Sequence, residues 1–214
     1  MPLTHPRVVI AEDHNLVAEL YKKLLDTEFD VVAIAKTGRE LIRVAVALKP
    51  DVALVDIAMP ILNGLDAGKQ VKEKCPTVKL IYLTMNPDPE LALEAFNVGA
   101  SGYLLKTCAA SELVVAVRDV LRGKTLLSQT LKEPVDYLRW ERKKPTAETE
   151  RLTVRQREVL QLLAEGRIMK EVADVLKMTT RTVAFHKYRI MQELGAKSSA
   201  DLVRYAVRNH IVAA

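Results

Sequence analysis

The chain has 214 residues, 49% hydrophobic and 28% charged, a globular composition with room for one large domain or two small ones. Its formal net charge of +5 falls behind Glu150, where 12 Lys/Arg face 7 Asp/Glu, so the rear suits a polyanion such as nucleic acid while the front is near neutral. No apolar run reaches membrane-spanning length, Met1–Pro6 holds no apolar signal region, and Cys75 and Cys108 lack metal or redox spacing; a soluble cytoplasmic protein with free thiols and no membrane partner is expected.

The first half alternates between two periodicities. Arg7–Ala11 reads as a strand, followed by a helical pattern with Leu16, Leu20 and Leu24 on one face. Val31–Ala35 is a strand and Gly38–Leu48 a helix; Asp51–Asp56 is a strand and Leu65–Lys74 a helix. Val78–Thr84, Pro89–Val98, Gly102–Leu105 and Ser111–Arg122 continue strand, helix, strand, helix. Five such units imply a parallel sheet covered on both faces, an α/β architecture. From Gly123 to Glu150 the pattern breaks down, and the stretch 126–149 is expected to be a partly helical linker in which Trp140 is a candidate for packing on one domain.

The strand ends carry the chemistry. Val8-Val9-Ile10-Ala11 runs into Glu12-Asp13, Leu54-Val55 into Asp56, Leu80-Ile81-Tyr82-Leu83 into Thr84, and Gly102-Tyr103-Leu104-Leu105 into Lys106. In a parallel sheet the carboxyl ends of the strands line the ligand crevice. Three carboxylates, a hydroxyl and an ammonium would then share one edge. A carboxylate can take a phosphoryl group when a hard divalent cation neutralises the donor's charge, and Mg²⁺ prefers carboxylate oxygens and water. Glu12, Asp13 and Asp56 suit that ion, with Asp56 also the nucleophile. Thr84 offers a hydroxyl and Lys106 a point charge to the phosphoryl oxygens. His14, beside the acids, reads as a loop histidine rather than a ligand.

Residues from about Arg7 to Gly123 resemble the receiver domain of two-component response regulators. The resemblance rests on Glu12-Asp13, Asp56 with Met59-Pro60 and Gly64, Leu83-Thr84, and Gly99-Ala100-Ser101-Gly102-Tyr103-Leu104-Leu105-Lys106. It implies the flavodoxin-like (βα)5 fold with strand order 2-1-3-4-5, phosphorylation of Asp56 by a histidine kinase, and Mg²⁺ at Glu12, Asp13 and Asp56. It also implies that Tyr103 is a switch aromatic whose rotamer follows Thr84. Glu12 departs from the commoner aspartate.

The last part reads as all helix. Thr153 opens a capping box with Gln156, and Val159, Leu160, Leu162 and Leu163 form an apolar side ended by Gly166. Met169–Leu176 is a second helix. A third, Arg181–Leu194, is expected to be capped by Thr180 and closed by Gly195; a fourth is expected to be capped by Ser199. Short links between compact helices are the helix-turn-helix pattern. Val183, His186, Ile190 and Leu194 should face the core, leaving Arg181, Ala184, Phe185 and Tyr188 outside, with Lys187 on the flank.

Residues from about Leu152 to Val212 resemble the LuxR-type helix-turn-helix of NarL/FixJ-family regulators. The carrying stretches are Leu152-Thr153-Val154-Arg155-Gln156-Arg157-Glu158-Val159-Leu160, Lys170-Glu171-Val172-Ala173, Arg181-Thr182-Val183-Ala184-Phe185-His186-Lys187 and Leu194-Gly195-Ala196-Lys197-Ser198. A recognition helix would place Arg181, Thr182, Phe185, Lys187 and Tyr188 at the major groove of double-stranded DNA. The resemblance implies that the final helix pairs two copies over inverted half-sites, with Leu202, Val203 and Ala206 as exposed apolar candidates for that homodimer. The expected function is therefore a DNA-binding response regulator, phosphorylated at Asp56 and without turnover of its own. One alternative is a haloacid-dehalogenase-like phosphatase, which needs an acid two positions after the nucleophile; Ala58 stands there. The other is a regulator that binds DNA constitutively beside an inert receiver.

Overall fold

The computed structural model describes residues 5–141 and 152–212. They divide into an N-terminal unit that holds the sheet and a C-terminal helical unit.

The first unit runs β1 (Arg7–Ala11), α1 (Asn15–Leu25), β2 (Asp30–Ala35), α2 (Gly38–Leu48), β3 (Val52–Asp56), α3 (Gly64–Lys74), β4 (Lys79–Thr84), α4 (Pro89–Asn97), β5 (Ala100–Leu105) and α5 (Ala110–Leu121). The strands are parallel, in the order β2-β1-β3-β4-β5-β6. This is the expected order with one strand added. β6 (Leu126–Leu127) hydrogen-bonds to β5, and a 3-10 turn (Gln129–Leu131) and α6 (Lys132–Glu141) follow. The linker expected from residue 126 therefore begins as part of the sheet unit. Two residues carry no readable alternation; pairing with β5 makes them a strand. The side chain of Trp140 lies outside the described residues.

Alternation along each strand sends successive side chains to opposite faces. Val8, Ile10, Val52, Leu54, Ile81, Leu83 and Leu104 form one apolar layer with Leu25 of α1 and Leu113, Val117 and Val120 of α5. Tyr82 lies on the other face against α3, where a Cβ on Gly68 would stand 1.8 Å from its hydroxyl. Only a glycine lets the helix approach this closely. On α1 the buried residues are Ala18 and Leu25, while Leu16 is 87% exposed and Leu20 54% exposed. The leucine face read from the sequence is thus the outer face of that helix.

The second unit comprises α7 (Val154–Ala164), α8 (Met169–Leu176), α9 (Thr180–Leu194) and α10 (Ser199–Arg208). Its core is Leu152, Val159, Leu160, Leu162, Val172, Leu176, Val183, Ile190, Leu202 and Ala206. The Thr153–Gln156 capping box forms as read, and Gly166 and Gly195 take positive φ at the helix ends. Two caps shift by one residue. Thr179, not Thr180, is extended and accepts a hydrogen bond from Thr182 N–H; Ser198, not Ser199, forms a capping box with Asp201. In each case adjacent hydroxyl residues compete, and the one three positions before the donating backbone N–H wins. The expected apolar exposure of α10 is corrected too: Leu202 is 2% exposed and Ala206 fully buried, because a small helical unit needs them as core, and Val203 alone of the three is outside at 38%.

Candidate functional site

The carboxyl ends of β1, β3, β4 and β5 meet as adjacent strand ends in the sheet order, and Glu12, Asp13, Asp56, Thr84 and Lys106 sit there. Lys106 follows the last residue of β5 and its backbone N–H donates to Thr84 O at 2.8 Å, which fixes where its side chain begins. The ammonium lies 2.7 Å from Glu12 Oε2 and 2.9 Å from Asp56 Oδ2. Glu12 and Asp56 are buried, at 1% and 4% exposure. Such a shared ammonium keeps two desolvated carboxylates from repelling one another outright. The β3 end is held close to α3 by Gly64: a Cβ there would fall 2.1 Å from Asp56 O.

The charges perturb each other in understandable directions. Burial pushes the Asp56 carboxyl above its ordinary range, against the pull of Lys106. Burial alone would lower Lys106, but its hydrogen bond to Glu12 and the charge of Asp56 hold the ammonium above the usual lysine value. The remaining Asp56 oxygen, Oδ1, accepts from Ala58 N–H at 3.2 Å. Position 58 thus supplies a backbone donor and no acid side chain, so the second acid of the phosphatase alternative is missing.

Glu12, Asp13, His14 and Asp56 bring ligand atoms within 4.8 Å of one another. Both Glu12 oxygens are engaged, Oε2 by Lys106 and Oε1 by His14 at 3.1 Å. Asp13 Oδ1 is buried and makes no hydrogen bond within the described structure. A buried carboxylate oxygen that makes no hydrogen bond, 3.1 Å from His14 Nδ1 and close to other carboxylates, fits a hard divalent cation, which takes oxygen donors and tolerates water in its remaining positions. Sequence reading missed how fully Glu12 is committed to its neighbours, since which oxygen meets which partner is a matter of side-chain packing.

Thr84 is buried, and its hydroxyl accepts from Asn86 N–H at 3.0 Å. Tyr103 is fully buried and its hydroxyl donates to Asn86 O at 3.4 Å. Burial raises the Tyr103 phenol well above its ordinary value, so it stays a donor. The loop after β4 is therefore tied to both residues through Asn86, which sequence reading did not name. Ser128 was missed as well. Its hydroxyl accepts from Leu105 N–H at 2.9 Å and its own N–H donates to Tyr103 O at 3.0 Å, clamping the end of β5 from beyond β6. No spacing pattern could signal that bond, which exists only because β6 joins the sheet.

On α9, Val183 and Ile190 are fully buried and His186 and Leu194 half-buried, so the inward face is as read. Arg181, Ala184, Phe185 and Tyr188 are exposed, Phe185 at 60% and Tyr188 at 61%. That rules out core packing for Phe185. Arg189 and Gln192, not named from the sequence, continue the same outer face, and Gln192 donates to the Tyr188 hydroxyl at 3.1 Å. Thr182 bonds the capping Thr179 hydroxyl at 2.8 Å, and Lys187 donates to Ser199 Oγ at 3.0 Å. Arg155 holds α7 to α8 by donating to Leu176 O at 2.5 Å while pairing with the buried Glu158.

Comparison with known proteins agrees with both halves of this geometry. Residues 8–118 match the response regulator receiver domain, and residues 150–206 match the bacterial regulatory proteins of the luxR family. The chain belongs to the response regulators that join a receiver domain to a LuxR-type DNA-binding domain, and it is a two-component response regulator of that class. It is 34% identical to the oxygen regulatory protein NreC of Staphylococcus aureus, across 96% of this chain and 99% of the relative. Among solved structures, the RcsB response regulator of Salmonella typhimurium is 26% identical with a TM-score of 0.61, covering 95% of this chain and 97% of that one. An RcsB–DNA complex matches with 26% identity and a TM-score of 0.60, over 94% and 98% of the two chains. Among the described residues no helix is long and apolar enough to cross a membrane.

Proposed function

We propose that Asp56 is the phosphoacceptor of this regulator and that its phosphorylation by a histidine kinase controls DNA binding by the helical unit. An Asp56 oxygen forms the bond to phosphorus as the phosphorus–nitrogen bond of a phosphohistidine breaks. Asp13, Asp56 and Glu12 would hold Mg²⁺, which when bound neutralises phosphoryl charge. Lys106 stabilises the charge placed on Asp56, and the Thr84 hydroxyl turns from Asn86 toward the new oxygens. Tyr103, bonded to the same Asn86, carries that change to the outer surface of the sheet unit. The observation that supports this most directly is the Lys106 ammonium, 2.9 Å from Asp56 and 2.7 Å from Glu12.

The receiver runs from about residue 5 through α6, and the DNA-binding unit from about 150. Arg181, Thr182, Phe185, Lys187 and Tyr188 enter or flank the major groove, and two copies bind inverted half-sites as a homodimer. The solved RcsB–DNA complex supports the DNA reading. Of the apolar residues on α10, Val203 remains the pairing candidate. The protein works in the cytoplasm and has no separate turnover activity.

A small phosphoryl donor with Mg²⁺ tests the reading. Intact-mass measurement should show one added phosphoryl group on the wild type and none on Asp56→Asn. Equal labelling of both would overturn it.

A further inference from the structure

Successive backbone N–H groups of a strand point to opposite neighbours. At the end of β5, which lies between β4 and β6, that alternation ties one residue to each side. Lys106 N–H donates to Thr84 O at 2.8 Å, and Leu105 N–H donates to Ser128 Oγ at 2.9 Å. β6 ends at Leu127, so the serine hydroxyl stands where the ladder would place a carbonyl oxygen. Beyond the serine the chain is anchored again: Leu131 is 2% exposed, Val135 is fully buried, and α6 packs against α4. α4 begins at Pro89, just past Asn86, whose N–H donates to the Thr84 hydroxyl and whose carbonyl accepts from the Tyr103 hydroxyl. The segment from β6 through α6 therefore touches both elements that leave the crevice, β5 at Ser128 and α4 along α6. It is also the stretch of chain that leads on to the helical unit.

Resting on the phosphoacceptor reading above, we propose that Ser128 is the positioning residue through which phosphorylation of Asp56 reaches the β6–α6 segment. A phosphoryl group places its charged oxygens beyond the present Asp56 carboxylate. Lys106, now shared between Asp56 at 2.9 Å and Glu12 at 2.7 Å, has to loosen one of these contacts to follow them. Its backbone follows Leu105 directly, and Leu105 N–H is the group that Ser128 holds. Thr84, on the other side, holds Lys106 through its carbonyl, so its own movement shifts the same strand end. A single neutral hydrogen bond from a side chain is the weakest tie in that chain of contacts. It gives first, and the segment from β6 to α6 loosens from β5 while its far part follows α4. A two-state element biased by the phosphoryl group is thereby connected to the chain that carries the DNA-binding unit.

The test uses the full chain as wild type, Ser128→Ala and Ser128→Thr, each treated with acetyl phosphate and Mg²⁺. Intact mass should show the same phosphoryl occupancy on all three. The DNA probe is a labelled duplex selected from a random pool for binding to the phosphorylated wild type. Phosphorylation should change wild-type affinity for it by about fivefold or more and Ser128→Ala affinity by less than about twofold. Ser128→Thr keeps the hydroxyl and should restore the wild-type factor. A serine that only stabilised the fold would lower the melting temperature and leave that factor unchanged. Hydrogen exchange of the wild type should speed up on phosphorylation at the amides between residues 126 and 136. If Ser128→Ala responds as fully as wild type, if Ser128→Thr fails to restore the response, or if wild-type exchange there ignores the phosphoryl group, the coupling role is wrong. The exchange measurement decides even where a variant fails to fold. Should wild type take up the phosphoryl group with no change in affinity, the reading that phosphorylation controls DNA binding falls too; should it take up none, the phosphoacceptor assignment falls first.

Discussion

Lys106 is the residue whose removal should be felt most in the sheet unit. Its ammonium separates two buried carboxylates, and Lys106→Ala would remove the cation they share. Breaking a buried pair from one side costs about 3 kcal/mol, so chemical denaturation should show a loss of that order. Asp56 acts in the opposite sense. Burial raises its pKa in the folded state, so its contribution to stability is present below the ordinary carboxylate range and is lost as pH rises through the folded value. At neutral pH the charge is a burden, and Asp56→Asn should raise the unfolding free energy by on the order of 1 kcal/mol. Thermal melts at pH 7 and near pH 4 check the sign, since the gain should shrink at the lower pH. On the opposite sheet face, Tyr82 keeps a buried hydroxyl with no hydrogen-bond partner among the described residues. Tyr82→Phe should therefore be neutral or stabilising by about 1 kcal/mol. Gly68→Ala should cost about 2 kcal/mol, because its Cβ would stand 1.8 Å from that hydroxyl, and adding Tyr82→Phe should recover part of the loss.

At the scale of elements, α10 shows how one amphipathic helix divides its work. Leu202 and Ala206 face the four-helix core while Val203 stands outside. Leu202→Ala should lower the stability of the helical unit by about 3 kcal/mol. Val203→Asp should leave that stability within about 0.5 kcal/mol but weaken cooperative binding to paired half-sites, as seen in gel-shift titrations. If Val203→Asp binds paired sites as well as wild type, α10 does not pair copies through this residue. On α9, Arg181 is exposed at the helix start, whereas Lys187 is partly held by Ser199. Arg181→Ala should therefore reduce DNA affinity and lower the salt slope of binding by about one. An unchanged slope would place the guanidinium away from the phosphates.

For the whole molecule, charge is segregated by unit. The excess of basic residues from Glu150 onward accompanies the helix-turn-helix, and the near-neutral front accompanies the acidic crevice. DNA affinity of the full chain should accordingly fall steeply with added salt. Phosphorylation should change that affinity at a fixed salt concentration, while Asp56→Asn should not respond to the phosphoryl donor. Fluorescence anisotropy with a labelled duplex, before and after treatment, distinguishes this from constitutive binding, in which both proteins would behave alike.

What the sequence determined was periodicity and what stands at its ends. Alternating apolar strands and helices dictate a parallel sheet, and a parallel sheet places strand-end residues in one crevice, so Glu12, Asp13, Asp56, Thr84 and Lys106 could be named as a set. The inward face of α9 was legible for the same reason: helical spacing alone selects Val183 and Ile190. Tertiary structure decided what periodicity cannot carry. A two-residue strand has no period, so β6 and the Ser128 clamp needed β5 as a partner. Adjacent hydroxyls at 179–180 and 198–199 offer equivalent local caps, and only the settled register chose between them. The outer leucines of α1 and the inner Leu202 of α10 share the same apolar character, and burial of each depends on what packs against its face. Lys106 bonds to Glu12 as well as Asp56 because side-chain reach in three dimensions, rather than order along the chain, sets which charges meet.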